Sequence, residues 1–107
     1  MNQIDELEQK AIVFKALCDF NRLMIIDLLK NGEKCACDIL QKMNISQSTL
    51  SHHMKILCES GLINCRREGK WMYYSLSKNG FEKANNLLQD IMQAAVLLDM
   101  EKSCDCE

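Results

Sequence analysis

Glu33-Lys34-Cys35-Ala36-Cys37-Asp38-Ile39-Leu40, then Asn44-Ile45-Ser46-Gln47-Ser48-Thr49-Leu50-Ser51-His52-His53, then Arg67-Glu68-Gly69-Lys70-Trp71-Met72-Tyr73-Tyr74, decide how this chain folds. The first run opens a short helix ending near Met43, and Asn44-Ile45-Ser46 makes a turn with Ser46 placed to cap a second helix. That helix covers residues 47–59, with a narrow apolar stripe of Leu50, Met54 and Leu57. Its other face carries Gln47, Ser48, Ser51, His52 and Lys55, and Ser60-Gly61 ends it. Two strands, residues 62–67 and 71–76, flank the Glu68-Gly69-Lys70 turn, where Trp71, Tyr73 and Tyr74 suit a strand. Helix, turn, polar-faced helix and β-hairpin in this order predict a mainly α winged helix-turn-helix.

The flanking segments read as a scaffold that pairs two such units. Residues 3–17 place Ile4, Leu7, Ala11, Phe14 and Leu17 on one helix face. Asp19 caps another helix with an apolar set of Leu23, Ile26, Leu28 and Leu29, ended by Asn31-Gly32. Ser77 caps a final helix running to Met100, in which Phe81, Ala84, Leu88, Ile91, Ala95 and Leu98 form a heptad seam widened by Leu87, Met92 and Leu97. That seam predicts a homodimer built on residues 81–98 and the first helix. Residues 1–102 are expected to form one DNA-binding and dimerisation domain, and residues 103–107 a Cys-containing tail.

At 107 residues the chain supports a single core. No apolar run reaches the roughly 20 residues of a membrane span and the start is not signal-like, so a cytoplasmic protein is expected. The net charge of −2 hides an asymmetry: residues 34–78 hold seven Lys/Arg against three Asp/Glu, and the rest of the chain six against twelve. One basic surface on an acidic body suits a nucleic-acid partner. Seven cysteines in a cytosolic chain point to metal or redox chemistry more than to a disulfide framework. No acid/base or nucleophile constellation of an enzyme is present.

On the 47–59 face, Gln47 can address adenine, Ser48 and Ser51 can serve base edges or phosphates, His52 faces the groove, and Lys55 suits a phosphate. Arg66, Arg67 and Lys70 are the expected wing contacts to duplex DNA. His53, Trp71 and the two tyrosines read as packing residues.

Cys35 and Cys37 are the specific signal. A two-residue step on a helix turns about 200°, so both thiols meet one ion only if Cys35 is extended, at or before the helix start. Binding there is expected to restrain or unwind the first helical turn. Lys34 and the helix start are expected to lower the thiol pKa values. Cys104 and Cys106 form a second Cys-x-Cys. Cys58 reads as core, and Cys18 and Cys65, with no near partner in sequence, as structural.

With these residues in place the chain strongly resembles the ArsR/SmtB family of metal-responsive repressors over nearly its whole length. The matching pieces are Leu17-Cys18-Asp19-Phe20-Asn21-Arg22-Leu23, Cys35-Ala36-Cys37-Asp38 with Leu40, Ser46-Gln47 with Ser51-His52-His53, Leu57 with Glu59-Ser60-Gly61-Leu62, and Arg67-Glu68-Gly69-Lys70-Trp71 with Tyr74 and Leu76. The resemblance implies a homodimer of winged helices that represses its own operon and leaves DNA when a metal or metalloid binds. Within the family, a Cys-x-Cys box at this place resembles the arsenic, antimony, cadmium or lead type. Two features depart from the family: Leu40 stands where arsenic-type boxes often carry a third cysteine, and Asp90 and Asp99 have no histidine near them for a zinc site on the last helix. The expected inducer is As(III) or Sb(III) on Cys35, Cys37 and a tail thiol. Two other readings stand beside it: a Cd(II), Pb(II) or Zn(II) site of four thiolates that uses Cys104 and Cys106 as well, and a thiol-redox switch.

Overall fold

Three short polar side chains set where helices begin. Asp19 accepts from the Asn21 and Arg22 amides (2.8 and 3.2 Å), Ser46 from the Thr49 amide (3.1 Å), and Ser77 from the Gly80 amide (3.0 Å). Each satisfies a donor that the first helical turn leaves without an intrahelical partner. All three caps sit where the sequence placed them.

The computed structural model describes residues 3–102. Its elements are α1 (Gln3–Leu17), α2 (Phe20–Leu29), β1 (Lys34–Cys35), α3 (Ala36–Lys42), α4 (Gln47–Glu59), β2 (Ile63–Glu68), β3 (Trp71–Leu76) and α5 (Lys78–Lys102). α3, turn, α4 and the β2–β3 hairpin form the expected winged helix-turn-helix. The tail with Cys104 and Cys106 lies outside the described residues.

The sheet has three strands, not two. β1 pairs antiparallel with β3 (Lys34 opposite Tyr74, Cys35 opposite Tyr73), giving the order β1-β3-β2. A two-residue strand has no periodicity to read, so sequence patterning could place Cys35 only as extended. In the hairpin, Glu68 faces Trp71 across a Gly69-Lys70 turn. Gly69 takes φ +63°, the left-handed conformation that tight hairpin turns require.

The core is made by Ile25, Ile26 and Leu29 of α2, Ile39 and Met43 of the α3 region, Leu50, Met54 and Leu57 of α4, then Leu62, Ile63, Ala16 and Ala84. α4 buries the predicted stripe, and each large apolar side chain so buried contributes about 1.5–3 kcal/mol. α2 departs from expectation. Leu23 is 51% exposed, and the inward face carries Ile25 and Arg22. The phase of α2 is fixed by Arg22, whose Nε donates to the Ala16 carbonyl (2.9 Å) and Nη2 to that of Lys15 (3.2 Å). These carbonyls close α1, so the guanidinium serves as its C-terminal cap.

α1 also departs. Ala16 is buried, with Val13 and Leu17 against the core, whereas Ile4, Leu7 and Ala11 of the predicted face stay exposed. α5 divides the same way. Phe81 and Ala84 pack on the core, and Leu88, Ile91, Met92, Val96, Leu97 and Leu98 face solvent, each at least half exposed.

Gly80 enters the fold by close approach. A Cβ there would overlap the Gly61 carbonyl, backbone that cannot swing aside, because α5 starts against the turn that ends α4. Gly80→Ala is expected to cost about 1–3 kcal/mol. It should appear as a lower urea midpoint at unchanged slope, and wild-type stability would disprove the close approach.

Candidate nucleic-acid interface and thiol site

α4 is sorted by its helical period. Leu50, His53, Met54 and Leu57 point inward, and Gln47, Ser48, Ser51, His52 and Lys55 are all exposed on the opposite face. Its N-terminal turn is tied by hydroxyls: Ser46 Oγ lies 3.2 Å from Ser48 Oγ and donates to Thr49 Oγ1 at 2.9 Å. A stripe of short polar side chains on a helix held rigidly from behind is what a major groove accommodates.

His53 supports α4 from the core. Its Nδ1 lies 3.0 Å from Arg22 Nη1, and with that guanidinium nitrogen donating, Nδ1 accepts and the ring is neutral. Nε2 lies 3.9 Å from an Asp19 carboxylate oxygen. Desolvation, ahead of the other influences, holds the imidazole below its ordinary pKa. For Asp19 desolvation works upward, but hydrogen bonds from the Arg22 and Asn21 amides, with the electrostatic influence of the His53 and Arg22 side chains, outweigh it, and its pKa falls. His53 is thus a packing residue, as its phase on α4 implied.

The wing presents Arg67 and Lys70 to solvent. Arg66 is differently placed. Its Nε and Nη2 donate to the two Glu33 carboxylate oxygens (both 2.8 Å), Glu68 lies 3.4 Å from Nη1, and the guanidinium stacks 4.6 Å from the Tyr73 ring centre. The Arg66 bond is the main cause of a lowered Glu33 pKa, and Glu33 in turn holds the guanidinium proton more tightly. Arg66, expected among the DNA contacts, already has its charge matched within the chain. Its partner stands 33 residues earlier, beyond any local pattern. Trp71, expected to pack, is 50% exposed at the base of the wing turn. It shares with Cys37, Leu40, Gln47, Ser51 and Lys70 a cavity of about 360 Å³ between α3, α4 and the hairpin.

Cys35 and Cys37 converge. Their sulfurs lie 2.7 Å apart, and with an Asp38 carboxylate oxygen all donor atoms fall within 4.8 Å of one another. Cys35 is the N-cap of α3, with φ −82° and ψ 159°. The extended residue predicted from spacing is therefore found. The expected unwinding is not required: Cys35 is held extended by β1, so both thiols reach one side while α3 keeps its first turn. The expected lowering of the thiol pKa also fails for Cys37. Its hydrogen bond with Cys35, then desolvation, then the Cys35 and Asp38 charges push it above the ordinary thiol value.

The other described cysteines divide unevenly. Cys18 is exposed. Cys58 and Cys65, read from sequence as unconnected, line one cavity. Burial first, then the neighbouring Cys65, push the Cys58 thiol up to about 12. The chain crosses from α4 to β2 between them, and only the fold reveals the pairing.

Comparison with known proteins places this geometry. The family profile described as "Bacterial regulatory protein, arsR family" matches residues 19–64, from the α2 cap to the start of β2. An arsenical resistance operon repressor of Staphylococcus aureus is 37% identical over 94% of this chain and 90% of its own length. A transcriptional repressor SmtB homolog of Synechocystis is 40% identical over 71% of this chain and 58% of its own. The solution structure of a homodimeric winged helix-turn-helix DNA-binding domain from Mycobacterium bovis, a possible ArsR-family regulator, aligns with a TM-score of 0.68. It is 28% identical over 98% of this chain and 93% of that one.

Burial of neutral His53 makes a pH prediction. Its folded pKa lies below the unfolded value of 6.5. The unfolded chain therefore takes up the proton first, and the contribution present above that value is lost as pH falls through the folded pKa. Unfolding free energy should decline below about pH 6.5, and His53→Gln should flatten that decline. An identical pH profile for the variant would assign the decline elsewhere.

Proposed function

Because the chain belongs to the ArsR family of bacterial regulatory proteins, and so is a DNA-binding transcriptional regulator and not an enzyme, we propose that it is a cytoplasmic, homodimeric repressor. In this reading As(III) or Sb(III), held by Cys35 and Cys37, releases it from its operator. The observation that carries the proposal is the convergence of the two thiols at the start of α3, the helix before α4. The donor set fits such an ion: two soft sulfurs on one side, with α3 intact behind them. When bound, a trivalent arsenic or antimony centre supplies bonds to thiolates and nothing else the mechanism uses. A third sulfur is assigned to Cys104 or Cys106 of the tail. A Cd(II), Pb(II) or Zn(II) site would draw on both, and kinship with an SmtB homolog keeps that reading beside the first.

The chain's own residues carry the consequence. Cys35 belongs to β1, whose ladder partner β3 returns from the wing turn. Glu33, two residues earlier, holds Arg66 on β2. Any constraint on Cys35 therefore acts on both strands of the wing. Through Cys37 it acts on the cavity shared by α3, α4 and Lys70. Moving the protein from mostly bound to mostly free requires a preference of about 5.5 kcal/mol for the released form.

For DNA, Gln47, Ser48, Ser51 and His52 enter the major groove, Lys55 meets a phosphate, and Arg67 and Lys70 meet the backbone through the wing. Arg66 approaches the DNA only with its Glu33 partner attached. The protein pairs through the solvent-facing part of α5 and the outer face of α1, supported by the M. bovis homodimer and by the exposed apolar row.

Two experiments test this. With a duplex selected in vitro by the protein, As(III), Sb(III), Cd(II) and Zn(II) are titrated while operator fluorescence anisotropy is followed. Cys35→Ser/Cys37→Ser should bind the duplex as wild type does and stay bound at every ion concentration. Removing residues 103–107 should weaken the As(III) response and nearly abolish that to Cd(II). Release of the double variant by As(III) would sink the assignment.

In the second experiment, Gln47→Ala should relax base preference at one position by about 1–3 kcal/mol. Lys70→Ala should weaken all sequences alike and lower the salt slope by about one. A Gln47→Ala protein with unchanged preference would take that side chain out of the groove.

A further inference from the structure

Cys58 and Cys65 form a second pair of thiols that the inducer site does not use. Cys58 lies at the C-terminal end of α4 and is half-buried, whereas Cys65, on β2, is exposed. Both line one cavity of about 240 Å³ with Ser51, Met54, Lys55 and Tyr74. Tyr74 stands directly across the ladder from Cys65. Lining the same small cavity places the two thiols within reach of each other once either side chain turns. Six residues separate them in sequence, but the Ser60-Gly61 turn folds β2 back along α4, and that reversal brings them together.

We propose that Cys58 and Cys65 are a redox-active dithiol, closed to a disulfide by hydroperoxides, that fixes the wing against the DNA-facing helix. The exposed thiol meets the oxidant. The Cys65 sulfur, as thiolate, attacks one peroxide oxygen, the O–O bond breaks, and the departing oxygen leaves as water once protonated. Cys65 is then a sulfenic acid. The Cys58 sulfur attacks the Cys65 sulfur, the S–O bond breaks, hydroxide leaves and takes up the Cys58 proton, and the S–S bond forms. In sum two thiols lose two electrons and two protons, and hydrogen peroxide becomes two waters.

The geometry gives this bond a consequence for DNA binding. Ser51 and Lys55 of α4 line the same cavity as the two thiols, and β2 carries Arg67 two residues on from Cys65. A disulfide holds its sulfurs about 2.05 Å apart, closer than two unbonded thiols can stand. Closing it draws β2 toward the end of α4, and helix and wing then no longer match one duplex together. The device is separate from the Cys35–Cys37 pair in both residues and chemistry.

The test exposes the full-length reduced protein to stoichiometric hydrogen peroxide, with non-reducing peptide mapping and operator anisotropy read on the same samples. The expected product is a Cys58–Cys65 cross-link, lighter by two hydrogens, with operator affinity lowered roughly tenfold and restored by dithiothreitol. Cys65→Ser replaces an exposed side chain. It should bind operator as wild type does when reduced and lose the peroxide response. Cys58→Ala should stop at a Cys65 sulfenic acid that dimedone traps. Peroxide-treated wild type in which Cys58 and Cys65 stay open to alkylation would overturn the proposal. So would a Cys65→Ser protein that still loses operator on oxidation, or a cross-linked protein with undiminished affinity.

Discussion

One buried guanidinium joins the parts of this fold that otherwise share little. Arg22 is 7% exposed and donates to the last carbonyls of α1 and to His53 of α4. A buried charge is tolerated when its donors are met, and here carbonyls and an imidazole nitrogen meet them. The rotational setting of α2, the end of α1 and the back of α4 are thus specified by one side chain. A helix that reads DNA must be fixed to within a fraction of a side-chain length. Apolar packing alone, being non-directional, supplies that less well than hydrogen bonds of fixed geometry.

A second constraint explains why a thiol pair at the start of α3 can be felt at the wing. β1 is only two residues long, but it makes the thiol box a member of the wing's own sheet. A ladder transmits displacement along its hydrogen bonds with little give, whereas a loop would absorb it. The Glu33–Arg66 pair ties the same segment to the strand on the far side of the hairpin. The thiol pair and the wing are neighbours in one small sheet.

Much of this is legible in the residues alone. The caps at Asp19, Ser46 and Ser77, the α4 stripe and the hairpin follow from side-chain chemistry and period, which act locally. The features that escape such a reading are non-local. The role of Arg22 shows only once the end of α1 and the inner face of α4 are brought to it. Arg66 reads as a free phosphate contact until Glu33 arrives from another strand. Cys65 reads as solitary until the turn after α4 folds back. For the Cys35–Cys37 pair, spacing dictates an extended Cys35 correctly. Spacing says nothing of β1, which already holds Cys35 out of the helix, so the two thiols converge without the unwinding that is one of the expected outcomes. Residues of α1 and α5 with a clear apolar pattern prove exposed because a pattern says that a face wants covering, not what covers it.

That last face bears on how much regulator a cell holds. The described chain measures 59 × 32 × 22 Å with a radius of gyration of 17.6 Å, against about 13 Å for a globule of this length. The excess is the projecting end of α5, with its apolar row in water. Where two chains must meet to cover it, assembly varies with the square of chain concentration and folding stability rises with it. Newly made chains at low copy number then stay longer in the form that proteases recognise. Operator occupancy would climb more steeply than synthesis, and halving expression would cost more than half of the active protein.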